Sequence, residues 1–288
     1  MITERVQEIL LKCNTEASFL ELSDDDKEAL DNEIKKNKRL SCDNKFLGRN
    51  EEIIFWVFNL PRILTCPERT KICEKECYQG PVENILKGKG KNSHIVNSRK
   101  LNWYMSMKDD FSERILGELS RKRKTTTHRY VRIHADGDFY SKDYMAKWFT
   151  IALASKLKGL DYIFVAYTKS FSILKGLLSD KEKLSRIFKD AHDLAKIAMP
   201  VISGELSLDE FNIHIIASKM DDTDKMYPLA QGIIEKYELP VYTVTEKDIA
   251  NLEKCGNTEN PCVNCMKCYK FQENDIKTKL RKSNKNNN

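Results

Sequence analysis

The sequence has no long apolar run. No window approaches 18 uncharged apolar residues, so no helix is expected to cross a membrane. An export signal is also missing, because Glu4, Arg5 and Glu8 interrupt the start and no small-residue cleavage site follows. There is no internal repeat. Histidine is scarce, at five residues. Three of them, His128, His192 and His214, fall in strand or helix patterns with no ligand spacing around them. The net charge of +6 on 288 residues is mild. It permits an anionic partner without requiring one.

Cysteine is what the sequence does have, nine in all. Without an export signal they are expected in a reducing, cytoplasmic setting, where cysteines serve as thiols or metal ligands rather than disulfides. The apolar fraction of 41% is enough for one sizeable core. Two short helices are expected over 2–12 and 24–38, with Ser23 as the cap of the second, making a small N-terminal helical extension over 1–44. The run Ile53-Ile54-Phe55-Trp56-Val57-Phe58 reads as a buried strand stopped by Asn59-Leu60-Pro61. A helix over 93–122 follows a glycine-containing loop.

Strands at 130–135, 162–167, 213–218 and 241–245 then alternate with helices at 141–157, 179–198 and 224–237. This rhythm predicts an α/β fold with a parallel sheet and helices outside, a partial (β/α) barrel, over 45–275. The residues from 276 on are expected to form a disordered basic tail.

Seven of the nine cysteines fall in two spaced sets in polar loops. Cys66, Cys73 and Cys77 follow the first strand. Cys255 precedes Cys262-Val-Asn-Cys265-Met-Lys-Cys268. Thiolates are soft ligands that suit zinc or iron–sulfur clusters. The tight run at 262–268 resembles ferredoxin ligation more than paired zinc knuckles, and Cys255 supplies a fourth ligand. Four thiolates close a site, whereas three leave one iron open. The expectation is therefore a 4Fe–4S cluster with an open iron in the first loop and a closed one near the C terminus, with zinc as the alternative metal. Cys13 and Cys42 have no partners nearby and read as small buried residues.

The segment Arg132-Ile133-His134-Ala135-Asp136-Gly137-Asp138 alternates strictly. On a strand, residues two apart share a face, so Arg132, His134, Asp136 and Asp138 are expected to project one way. Ligands in parallel α/β sheets sit at the carboxyl ends of strands. Thr168, Lys169 and Ser170 end the next strand, and Ser218 ends a third. Together these make a polar mouth. Arg132, His134, Asp136, Asp138 and Lys169 are the candidate catalytic residues. Tyr78, Thr168, Ser170 and Ser218 are the candidate cofactor contacts.

The order of Asn59-Leu60-Pro61, Thr65-Cys66-Pro67, Cys73…Cys77-Tyr78, Arg132-x-His134-x-Asp136-Gly137-Asp138-Phe139-Tyr140-Ser141, Tyr167-Thr168-Lys169-Ser170 and Cys262-x-x-Cys265-x-x-Cys268 resembles the "gene product 88" family of phage and mobile-element proteins. A cysteine loop followed by strand–helix repeats is also distantly similar to radical S-adenosylmethionine enzymes, though the cysteine spacing here differs from theirs. That similarity implies S-adenosylmethionine on the open iron and an auxiliary second cluster. A radical-type or redox enzyme is the function expected. The alternative is a metal-stabilised nucleic-acid-binding protein that uses Arg121, Lys122, Arg123, Lys124 and the basic tail.

Overall fold

The computed structural model describes residues 2–42, 50, 52–77, 92–121, 128–199, 208–218, 224–243, 253–254, 262–266 and 279–280. Three helices open the chain: α1 (Glu4–Lys12), α2 (Glu16–Leu20) and α3 (Asp24–Lys36). Thr15 and Ser18 form a reciprocal capping box on α2. Ser23 Oγ accepts the Asp26 amide at 3.2 Å, as the sequence predicts for α3. Val6, Leu10, Phe19, Leu30 and Ile34 belong to the main core, where Phe19 meets Trp103 edge-on at 5.4 Å between ring centroids. Ser41 then pairs antiparallel with Val57 and covers the outer edge of the first strand.

The remaining elements alternate. In chain order they are β1 (Ile53–Phe58), α4 (Lys71–Glu76), α5 (Asn92–Met107), α6 (Phe111–Ser120), β2 (His128–Ile133), α7 (Lys142–Leu157), β3 (Tyr162–Thr168), α8 (Phe171–Leu178), α9 (Lys181–Ala195), β4 (Ile213–Ser218), α10 (Tyr227–Lys236), β5 (Val241–Thr243), β6 (Glu253–Lys254), α11 (Cys262–Cys265) and β7 (Lys279–Leu280). The sheet runs β1-β2-β3-β4-β5-β7-β6, and these neighbouring strands pair in parallel. The first five strands lie side by side in chain order. Lys279 and Leu280, in the stretch expected to be disordered, pair with the strands on either side as β7.

Strand periodicity divides the sheet into two faces. Phe58, Val131, Ile133, Phe164, Ala166, Ile213, Ile215 and Ala217 point to the helices and join the large core. The buried helix α7 lies at its centre, with Trp148 edge-on to both Phe58 and Phe111. Ile53, Phe55, Val57, Tyr130, Val165 and Ile216 point the other way into a second, smaller core. Among the described residues, Met266, which follows α11, packs onto that face from outside the sheet, with Cys262 half-buried against it. A parallel sheet needs both faces covered. Burying one methionine side chain contributes about 1.5–3 kcal/mol.

One expected helix is divided and another is shortened. The pattern over 93–122 breaks after Met107, and the break is held open from another helix. Lys147 Nζ donates to the carbonyls of Ser106, Met107 and Lys108 at 3.1, 3.2 and 2.7 Å, satisfying groups that a helix end leaves orphaned. The pattern over 179–198 begins at Lys181 under an Asp180 cap and stops at Lys196, which is left-handed at φ 61°. Helix α8 precedes it and was not anticipated. No helix among the described residues is long and apolar enough to cross a membrane.

Candidate functional site

The carboxyl ends of β1, β2 and β3 are stitched into one rim. After β1, Asn59 Oδ1 accepts the amides of Ala135 and Asp136 at 2.9 and 3.1 Å, and the Leu60 amide donates to the Asp136 carbonyl at 3.0 Å. Thr65 is fully buried. Its hydroxyl donates to the Pro61 carbonyl at 2.7 Å, and its own carbonyl accepts the Asp138 amide at 3.1 Å. Gly137 makes this approach possible. Its φ is +81°, and a Cβ there would stand 2.6 Å from both Leu60 Cβ and Thr65 Oγ1. Cys66 therefore leaves a clamped base.

The rest of the cysteine loop is braced in turn. Thr70 caps α4 by accepting the Cys73 amide at 3.0 Å. Cys73 and Cys77 are four residues apart, one turn of helix, so both can face one side. Arg69 bridges Glu74 and the Cys66 carbonyl. Glu68 accepts the Ser172 amide at 3.0 and 3.2 Å, together with the Ser172 hydroxyl. It thus caps α8, whose own Ser170 supplies no side-chain cap. The loop after β1 is in this way fastened over the end of β3.

Three thiols share this loop. Cys66 lies within electrostatic reach of Asp138, Cys73 and Cys77. Cys73 lies within reach of Lys169, Cys77, Asp138 and Glu74. Burial pushes both thiols up, so they are protonated near neutrality and a metal would have to displace those protons. Among the described residues no group of three His, Cys, Asp or Glu side chains stands ready to hold a metal ion. The donor set itself, half-buried soft thiols on one loop, fits an iron–sulfur cluster or zinc.

The polar row does not share one face. The strand ends at Ile133, and His134 adopts φ 60°, which breaks the alternation that the sequence predicts. Arg132 stays on the inner face between Val57 and Val165. Its guanidinium lies 3.6 Å from the Tyr167 ring centroid, and its Nε donates to the His134 carbonyl at 3.1 Å. His134 turns into the helix side. Its Nε2 lies 2.7 Å from the Tyr144 hydroxyl, and its ring meets Phe139 at 4.8 Å. Burial, and then the charge of Arg132, push its pKa down to about 3, so the imidazole is neutral.

Asp136 turns to α5, where it meets Arg99 at 2.6 Å with both side chains buried. Asp138 ties β2 to β3. It accepts from the Thr168 hydroxyl at 2.7 Å, the Lys169 amide at 2.8 Å and its neighbour Phe139's amide at 2.7 Å. Burial raises it to about 6, against those hydrogen bonds. The rim is thus largely a scaffold, and its charged groups have separate partners.

Thr168 and Ser170 belong to that scaffold. Ser170 is fully buried, and its hydroxyl donates to the Phe139 carbonyl at 2.8 Å. Ser218 is half-buried at the end of β4. Cys262 is half-buried against the second core. Tyr78, Cys255 and Cys268 lie outside the described residues, as do 122–124 of the basic run, and Cys265 is described in its backbone only. Arg99, Glu68 and Asn59 were not singled out from the sequence. Asn59 was legible as a strand stop, but nothing in the helix pattern around Arg99 sets it apart.

A family model described as gene product 88 matches residues 21–270. The chain belongs to the gene product 88 family. The Gene 88 protein of Mycobacterium phage L5 is 27% identical over 88 residues, covering 29% of this chain and 36% of that protein. The Gene 88 protein of Mycobacterium phage D29 is 33% identical over 92 residues, covering 29% of this chain and 35% of that one. The chain thus spans about a third of the length of these curated relatives, and their names state no activity. No solved structure matches this gene product 88 protein.

Proposed function

We propose that this gene product 88 protein is an iron–sulfur protein of mobile-element type and a radical-type or redox enzyme. Cys66, Cys73 and Cys77 would hold a 4Fe–4S cluster with one iron open, and Cys255, Cys262, Cys265 and Cys268 a second, closed one. The observation that carries this reading is the cysteine loop fastened over the end of β3, with Cys66, Cys73 and Cys77 within electrostatic reach of one another. Cys262 packs against the inner face of the same sheet, which supports two sites around one mouth rather than at distant ends.

Strands in chain order with the helix-bearing core on one face support a partial (β/α) barrel, whose mouth is the rim described above. Arg132, its guanidinium over the Tyr167 ring, is a charged side chain on the inner face that a substrate in the mouth would meet. His134 and Asp136 turn outward and hold the rim. A cluster bound in the loop supplies an electron and an iron open to a small ligand, for which S-adenosylmethionine is the candidate.

Anaerobic purification tests the metal. Brown protein with a broad band near ~400 nm is expected, from thiolate-to-iron charge transfer in such clusters. Colourless protein holding stoichiometric zinc refutes the reading. S-adenosylmethionine in millimolar excess should perturb the electron paramagnetic resonance spectrum of reduced protein. An unchanged spectrum removes the radical-enzyme part and leaves the metal.

A further inference from the structure

A groove of about 840 Å³ lies on the helix-covered side of the fold, lined by α2, the turn between α5 and α6, α7 and α9. No residue of the cysteine loop lines it. Its floor keeps its polar groups to itself. The Tyr140 ring stacks on Tyr144 at 4.6 Å between centroids, and its hydroxyl pairs with Ser106 Oγ at 2.8 Å. Thr150 Oγ1 donates to the Ala146 carbonyl at 3.1 Å. The Lys147 ammonium is held by the three carbonyls at the α5–α6 break. What the groove offers an occupant is therefore apolar surface, from the Tyr140 ring and the half-buried Met107 and Leu194. Leu20 extends that surface outward, and it is 68% exposed.

The walls carry an excess of negative charge. Lys183 is paired with Asp143, and Arg186 lies 3.8 Å from Asp190. Glu16, Asp109, Glu113 and Asp193 are exposed along the same groove and have no ion-pair partner among the described residues. They come from α2, the α5–α6 turn, α6 and α9, so the uncompensated charge surrounds the apolar strip. Along α9 the lining runs from Lys183 to Leu194, about 16 Å at the rise of a helix, or three turns.

We propose that this groove docks a basic amphipathic helix of a partner protein, with its apolar stripe on Leu20, Met107 and Tyr140 and its lysine or arginine side chains against the four unpaired carboxylates. Apolar side chains at i, i+3 and i+7 reach along three turns, and cations on either side of that stripe meet both walls. A small polycation would satisfy the carboxylates and leave Leu20 in water. A second copy of this chain seated groove to groove would set like charge against like. The inference does not depend on a metal in the cysteine loop.

The test titrates the full chain by calorimetry at low salt with a peptide of about 14 residues, four turns of helix, built from leucine and lysine with the leucines at helical spacing. The controls are the same composition scrambled and the same pattern with glutamate for lysine. Circular dichroism checks the fold of each protein variant. Only the patterned basic peptide should bind tightly. Leu20→Asp and Leu20→Ser should each weaken it about tenfold or more. So should the joint change Glu16→Gln, Asp109→Asn, Glu113→Gln and Asp193→Asn, which should also flatten the salt dependence. Asp25→Asn with Glu28→Gln, outside the groove, should leave the affinity unchanged. No binding, or equal binding of the scrambled peptide, overturns the inference. So does an affinity unmoved by the Leu20 changes. Spermidine that displaces the peptide at similar concentration would assign the groove to a small polycation, and a dimer in sedimentation that Leu20→Asp abolishes would assign it to a second copy. Either result overturns the inference.

Discussion

His134 is a neutral imidazole sealed inside the fold, so acid should unfold this protein partly through one residue. The sign follows from two proton affinities. In the unfolded chain His134 takes a proton below its ordinary value of 6.5, whereas the folded chain resists until about 3. Its contribution is fully present above 6.5 and is lost progressively as the pH falls toward 3. Each pH unit in that window costs about 1.4 kcal/mol, so moving from about pH 7.5 to about pH 4.5 costs about 2.7 kcal/mol through His134. His134→Gln keeps a polar atom for the Tyr144 hydroxyl and removes the titration. The assay is urea unfolding of both proteins at a series of pH values. The stability difference between them should shrink by about 2–3 kcal/mol on acidification, because the variant escapes the penalty. Carboxylates and thiols affect both curves alike and cancel. Parallel curves across the range would refute the reasoning, because they would mean that the imidazole is protonated or solvated in the native state.

Gly137→Ala should destabilise the fold by about 2–4 kcal/mol, from a left-handed backbone and a forced contact with Leu60 and Thr65, read by urea unfolding. Asp136→Asn should cost about 3 kcal/mol or more, because it leaves the buried Arg99 guanidinium without its carboxylate. The double change Asp136→Leu with Arg99→Met should recover much of that loss, and no recovery would show that the pair holds the rim by more than charge. The triple change of Cys262, Cys265 and Cys268 to Ser should lower both the metal content and the melting temperature, since a closed site contributes folding free energy. Unchanged values would remove the second site.

Three of the four principal strands were legible as mainly apolar runs bounded by stops, and β2 as the alternating segment around Arg132. Asn59-Leu60-Pro61 after β1 even marks the start of the rim. The cap at Ser23 was legible for the same local reason. The turn of His134 was not, because a positive φ at a non-glycine residue is imposed by neighbours, here the Asn59 side chain and the Tyr144 hydroxyl. Strict alternation therefore placed four charges on one face, and the fold sends them in separate directions. The division of the helix over 93–122 depends on Lys147, which lies far along the chain and carries no signal at the break. Met266 escaped notice because the cysteines around it drew the reading toward thiols, and its packing depends on the opposite face of the sheet.

That methionine fixes an order of events in the life of the chain. Every principal strand lies before residue 219, yet among the described residues the buried side chain that packs onto Phe55, Val165 and Ile216 from outside the sheet arrives with residue 266. A chain emerging from the ribosome can assemble the helix-covered face early, since domains fold from the N terminus as they are made. Among the described residues, the contact that Met266 gives the opposite face comes only after the strands of that face have been made. A chain halted before Met266 would therefore carry the helix-covered core while Phe55, Val165 and Ile216 still await that contact.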